Sequence, residues 1–200
     1  MDTEIGFQLP IHKSRLSDEQ LDYFLKVTDR MLVGGGFSSM DASKKLVGEF
    51  KNGSQYSLNR ALWSEFDQVL QLKMREYTLL LSRNRYAVKK ATLIDTWMVS
   101  QRGGDYNPLH SHSGTMSGII YLKTPSEIFH EGSVDGYLNF SYGFLSPQSL
   151  HFMGMNLVLP QAGDLFLFPS WLSHTVYPFK GTAERRSVSF NYELSIGANT

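Results

Sequence analysis

The stretch Asp164-Leu165-Phe166-Leu167-Phe168-Pro169-Ser170-Trp171-Leu172-Ser173-His174, DLFLFPSWLSH, decides the fold class. Gly163-Asp164 is turn chemistry, and Leu165–Phe168 is a short run of large apolar side chains that suit a strand. Pro169 has no N–H to give a sheet ladder and stops the run. His174-Thr175-Val176-Tyr177 then begins a second strand. The same texture extends in both directions. Upstream lie Leu157–Leu159 before Pro160, Tyr137–Phe140 after a Gly turn, Ser117–Leu122 closed by Pro125, and Ala91–Val99; downstream lies Arg186–Tyr192. Short strands separated by Gly, Pro and Asp predict an all-β barrel or sandwich.

The first half reads differently. Ser17-Asp18-Glu19-Gln20 has the form of a capping box, with Leu21, Phe24, Leu25, Met31 and Leu32 at helical spacing. Gly34-Gly35-Gly36 is a helix stop. As a phosphate loop it lacks both a following Gly-Lys-Ser/Thr and a strand–turn–helix setting. A second helix is expected from near Ser57 to about Arg83, with Leu58, Leu62, Phe66, Val69, Tyr77 and Leu80 on one stripe and Asn84 at its end. The expectation is one domain over 1–200, with helical support over 1–89 and a β core over 90–200.

Composition narrows the function. Lys plus Arg and Asp plus Glu are 19 each, so the chain lacks the basic excess of a nucleic-acid or anionic-membrane surface. With no cysteine, thiolate nucleophiles, disulfides, zinc knuckles and iron–sulfur clusters are excluded. MDTEIGFQLP carries two acids and no apolar run, so a signal peptide is not expected, and no segment approaches the ~20 apolar residues of a membrane span. A soluble cytoplasmic protein without nucleic-acid or membrane partners is the expectation; the oligomeric state stays open, and a homodimer is compatible.

Two of the six histidines fall in Asn107-Pro108-Leu109-His110-Ser111-His112-Ser113-Gly114. On a strand, residues i and i+2 share a face, so His110 and His112 point together. Imidazole suits iron, copper, nickel and zinc, and His174 is the candidate third ligand. By itself the pattern equally fits two solvated histidines on a strand. His12, His130 and His151 have no comparable partners and read as structural or exposed.

Four blocks in order carry a resemblance: His110-Ser111-His112; Ser117-Gly118-Ile119-Ile120-Tyr121-Leu122; Asp164 to His174; and Glu184-Arg185-Arg186-Ser187-Val188-Ser189-Phe190-Asn191. Together they resemble the catalytic core of the iron(II)/2-oxoglutarate-dependent oxygenases, in their prolyl-hydroxylase-like branch, and more narrowly a bacterial and phage group of them. The resemblance covers about the C-terminal half. It implies a mostly β, double-stranded β-helix (jelly-roll, cupin-like) barrel buttressed by helices. It also implies Fe(II) as cofactor, 2-oxoglutarate and molecular oxygen as cosubstrates, and hydroxylation of a small molecule or peptide coupled to succinate formation.

The family's triad is His-x-Asp/Glu…His. Carried over, His110, His112 and His174 are the metal and catalytic residues, with His112 where the family has a carboxylate. That exchange makes the site one unit more positive. Three readings stay open: a working three-histidine triad, which is preferred; His112 as first ligand with Gly114 at a vacant position, as in halogenating relatives; and a degenerate site. For the distal carboxylate of 2-oxoglutarate, Arg offers fork geometry. Arg185 shares strand parity with Ser187, Ser189 and Asn191, whereas Arg186 shares it with Val188, Phe190 and Tyr192. The polar row and the Glu-Arg-x-Ser register select Arg185, with Arg186 facing outward. Tyr121 matches a family tyrosine that meets the same carboxylate. Gln101 and Ser187 are further cofactor-pocket candidates, Trp97 reads as core, and Tyr106 and Asn107 as rim. Lys123–Gly136 and Ser141–Met155 are expected to cover the mouth. Two rivals remain: a three-histidine cupin-type dioxygenase or isomerase that uses no 2-oxoglutarate, and a non-catalytic jelly-roll binding protein.

Overall fold

The computed structural model describes residues 11–33, 48–58, 60–143 and 154–199, without the side chains of 60–62, 65 and 154. The glycines at 34–36, His151 and most of Ser141–Met155 lie outside the described residues. The elements in chain order are β1 (His12–Arg15), α1 (Asp18–Leu32), β2 (Ser54–Ser57), α2 (Arg60–Leu81), β3 (Tyr86–Gln101), β4 (Asn107–His110), β5 (Met116–Lys123), β6 (Leu138–Tyr142), β7 (Gly154–Val158), β8 (Asp164–Pro169), β9 (Ser173–Val176) and β10 (Arg185–Ala198). Two antiparallel sheets form, one ordered β1-β8-β5-β10-β3-β2 and one ordered β4-β9-β6-β7. This is the mostly β, two-sheet jelly-roll that the sequence predicts.

DLFLFP is β8, flanked by β1 and β5 in the larger sheet. It is buried along its length up to Pro169, so it reads as a continuous apolar run rather than an alternation. One core lies between that sheet and the helices: Phe24, Trp63, Phe66 and Met74 pack with Met98, Ile120, Val188 and Phe190. A second lies between the sheets, with Tyr121, Phe140, Phe166, Phe168, Leu172 and Val176. The Ser-Gly pair of β5 has a packing reason. A Cβ on Gly118 would lie 2.3 Å from the Phe190 ring and 2.9 Å from the Phe166 carbonyl oxygen.

α1 starts at the predicted capping box: the Ser17 side chain accepts from the Gln20 N–H, and the Gln20 side chain accepts from the Ser17 N–H. Elsewhere the N-terminal reading needs correction. Residues before 86 also supply two strands. β1, HKSR, has no strand-like composition. It is set against β8 by Lys13 and Arg15, which both pair with the fully buried Asp164 carboxylate, so a tertiary ion cluster overrides propensity. Ser57 ends β2 rather than opening a helix, since β2 pairs with β3 and the Leu58 N–H donates to the Thr96 carbonyl. α2 therefore begins at Arg60. Its buried stripe runs Trp63, Phe66, Leu70, Met74, Tyr77, while Leu80 is 72% exposed, contrary to expectation. The expected end is present, with Arg83 and Asn84 both at positive φ. β3 and β10 are longer than their apolar runs suggest because each extends the other's ladder, from Arg185 opposite Gln101 to Ala198 opposite Tyr86. No helix is long and apolar enough to cross a membrane among the described residues.

Candidate metal centre and pocket

The FPS-x-x-x-H block folds as a strand, a turn and a strand, and both sides of the turn hold histidines. After β8, the Leu172 N–H donates to the Pro169 carbonyl and closes a tight turn into β9. That delivers His174 opposite His110, the last residue of β4. β4 stops there. His112 stands beyond the strand end, where its N–H donates to the Ser170 carbonyl. The expectation of two histidines on one pleated face is thus replaced by a loop that turns His112 back toward His110. Ser170 is itself held by Ser117, whose hydroxyl also donates to the Asn191 side-chain oxygen.

The result is a three-imidazole cluster. Ring centroids are 4.3 Å apart for His110–His174, 4.9 Å for His110–His112 and 5.0 Å for His112–His174. One ligand nitrogen from each lies within 4.8 Å of the other two. Nitrogens about 2.1 Å from one shared ion are at most about 4.2 Å apart, so small side-chain rotations close the set. Two tautomers are fixed by hydrogen bonds. His110 Nδ1 lies 2.6 Å from the Pro108 carbonyl and His174 Nδ1 3.0 Å from that of Leu172. A carbonyl only accepts, so each Nδ1 carries the hydrogen and each Nε2 presents its lone pair. Burial lowers all three pKa values from the usual 6.5: His110 downward, His112 to about 4 and His174 to about 3, the last two pushed further by neighbouring imidazoles. The cluster is therefore neutral at pH 7, which is the ligating form. All three donors are nitrogen, so the set fits a divalent ion of the iron, nickel or zinc type. No carboxylate joins it among the described residues.

The cluster opens on a pocket of about 250 Å³ walled by β3, β5 and β10. Gln101, Tyr121 and Ser187 line it, as do Asn107, Trp97, Ser189 and Asn191. Trp97 was expected in the core. It is buried, yet it forms the wall beside His112, with ring centroids 5.4 Å apart. Tyr106 does not line the pocket and instead bridges to Glu49. Lys123–Gly136 contributes no lining residue, but its Gly136 carbonyl accepts from Arg185. Gly114, with φ +91, lies against Ile94 and the Tyr192 backbone and lines a separate cavity with Trp171 and Ile196.

The adjacent arginines diverge as their parity requires. Arg185 is buried on the pocket side, behind Gln101. Its Nε and Nη2 both donate to the Gln101 side-chain oxygen, and its remaining donors meet the carbonyls of Gly136 and Tyr177. Gln101 is oriented by donating to the Asn107 side-chain oxygen. None of the Arg185 hydrogen-bond partners among the described residues is a carboxylate; desolvation pulls its pKa down to about 10, opposed by Tyr121 and by the buried Asp105 carboxylate. The Tyr121 hydroxyl, pushed up to about 12 by burial, stays protonated and can donate. Arg186 lies on the other face, but it does not reach solvent. It is 2% exposed and pairs with Glu184 and Asp29, tying β10 to α1. Two wall residues escaped the sequence reading. Gln55 comes from the unforeseen β2 and gave no signal. Asp95 shares the period of Trp97, Val99 and Gln101, which was the signal available.

Residues 95–191 match a protein-family model described as "Putative 2OG-Fe(II) oxygenase". No curated protein matches the chain significantly. Among solved structures, the chain is similar to a Pseudomonas putida prolyl-4-hydroxylase, at 14% identity and TM-score 0.59 over 92% of each chain. A viral collagen prolyl hydroxylase from Paramecium bursaria Chlorella virus-1, in complex with 2-oxoglutarate, is similar at 18% identity and TM-score 0.55, covering 91% of this chain and 94% of that one. HygX from Streptomyces hygroscopicus, with nickel, 2-oxoglutarate and hygromycin B bound, is similar at 14% identity and TM-score 0.60, covering 92% and 83%. These likenesses establish a shared fold.

Proposed function

We propose that the chain, whose residues 95–191 match the 2OG-Fe(II) oxygenase model, is a hydroxylase of a small molecule or peptide side chain in which His110, His112 and His174 hold the iron. Bound iron(II) supplies oxygen activation coupled to decarboxylation of 2-oxoglutarate. One O₂, one 2-oxoglutarate and one substrate C–H give succinate, CO₂ and C–OH. The chain's own residues prepare that chemistry. Hydrogen bonds to Pro108 and Leu172 aim two imidazoles, and burial keeps all three unprotonated. Arg185 supplies countercharge for the distal carboxylate, while Tyr121, Gln101 and Ser187 supply contacts. Apolar walls at Trp97, Ile119 and Val176 exclude water. The convergence of His112 with His110 and His174, with no carboxylate beside them among the described residues, supports the reading in which His112 stands in for the usual acid in a three-histidine triad.

The observation that carries this reading is a buried guanidinium that hydrogen-bonds no carboxylate among the described residues, with Asp105 acting on it only through space, behind the pocket onto which three neutral imidazoles converge. A buried cation is costly unless an anion accompanies it, and a dicarboxylate ligand supplies one. A cytoplasmic setting without nucleic-acid or membrane partners is part of the proposal; the balanced charge supports the lack of a nucleic-acid or anionic-membrane surface.

Calorimetric titration of the nickel-loaded protein with 2-oxoglutarate tests the reading. Arg185→Ala should weaken binding at least about tenfold, as expected for losing a buried countercharge and the side chain that orients Gln101. Unchanged affinity would favour a cupin-type enzyme that does not use the keto acid.

A further inference from the structure

The pocket wall made by β3 and β10 is a ladder with a charge at each end. Its rungs are Arg185–Gln101, Ser187–Val99, Ser189–Trp97 and Asn191–Asp95. All but Arg185, which sits behind Gln101, line the pocket. Arg185 is buried and Asp95 is exposed. Six strand residues separate the two ends, roughly 20 Å, which is well beyond the ~8 Å screening length of physiological salt. The two charges therefore do not neutralise each other.

Among the described residues, Asp95 is the one acidic residue lining the pocket, and no Lys or Arg lines it. It makes no hydrogen bond or ion pair among the described residues. Most exposed carboxylates are simply solvated. This one differs because it shares a wall with the histidine cluster. His112 packs beside Trp97, so the cluster stands one rung from Asp95, on the side away from Arg185. With 2-oxoglutarate at the Arg185 end, as the proposed function has it, the Asp95 end is what remains for the primary substrate.

We propose that Asp95 is the substrate-recognition carboxylate and that the substrate carries an ammonium or guanidinium group. One rung is two residues, about 7 Å along the strand, a reach that a lysine- or arginine-length chain spans. Trp97 lies on the rung beside the cluster, next to that of Asp95, where its indole offers an apolar wall to the alkyl chain and a π face to the cation. Asn191 on the Asp95 rung and Ser189 on the next supply polar contacts. The inference names the substrate class of the site and rests on the oxygenase reading.

The experiment uses anaerobic protein with iron(II) and 2-oxoglutarate. L-lysine is titrated against L-norleucine, and L-arginine against L-citrulline, following binding heat and perturbation of the iron–2-oxoglutarate charge-transfer band. At least one cationic probe should bind about tenfold or more tightly than its uncharged counterpart, the scale of a hydrogen-bonded charge pair. Asp95→Asn should collapse that preference below about threefold and leave the band itself unchanged. Absence of binding by both cationic probes, or a preference that survives Asp95→Asn, overturns the proposal. Failure of the band to form before any probe is added removes the oxygenase reading, a distinguishable result that takes the proposal with it.

Discussion

His110 and His174 face each other across the β4–β9 ladder, their ring centroids 4.3 Å apart and both Nδ1 atoms against carbonyls two residues back in their own chain. Each ring is thus fixed before any metal arrives. His174→Ala should lower nickel(II) or iron(II) affinity by about a hundredfold or more, since even losing an outer-shell partner costs 10–100-fold. His130→Ala, at an exposed histidine outside the site, should leave it unchanged. Competition titration against a chelator reads both.

The adjacent arginines give a paired test. Arg186 is buried against Glu184, which is 12% exposed, and Asp29, which is 56% exposed. Removing it leaves Glu184 with only Ser100 and Lys123, so Arg186→Ala should destabilise the fold by about 2–3 kcal/mol, below the full cost of a wholly buried pair. In urea melts the midpoint should fall, while 2-oxoglutarate affinity of the folded protein stays within about threefold. A loss of keto-acid binding without a loss of stability would reverse the assignment of the two residues.

Acid should weaken the metal-free fold. The depressed pKa values of His112, about 4, and His174, about 3, mean that the unfolded chain binds protons first as pH drops below 6.5. Stability therefore falls through that window toward the folded values. His12, lowered mainly by desolvation, adds to the slope. Urea midpoints between pH 7 and 5 should decline, and His174→Asn should flatten the decline. A midpoint that rises on acidification would contradict burial of neutral imidazoles.

Gly118 tests the core behind the pocket. A methyl group there meets the Phe190 ring at 2.3 Å, so Gly118→Ala should cost about 2 kcal/mol by overpacking and lower Tm.

Legibility in the sequence followed local chemistry. The Ser17 capping box and the strand stopped by Pro169 were readable because each is written in adjacent residues. Parity on β10 separated Arg185 from Arg186, since period 2 survives wherever a strand is regular. What escaped depended on distant partners. β1 exists through Asp164, about 150 residues away in the chain, and no propensity of HKSR announces it. The burial of Arg186 needed Asp29 of α1, so parity gave its face but not its surroundings. His112 reaches the cluster by a route that strand parity does not describe, since a loop tied to Ser170, not a strand pleat, turns it inward. Trp97 looked like core because burial and pocket lining are alike in composition.

The most direct measurement is anaerobic addition of iron(II) and 2-oxoglutarate while recording the visible spectrum. The account predicts a metal-to-ligand charge-transfer band that needs both additions and disappears in His110→Ala and His174→Ala. A wild-type protein without the band, or a band that persists in either variant, would contradict it.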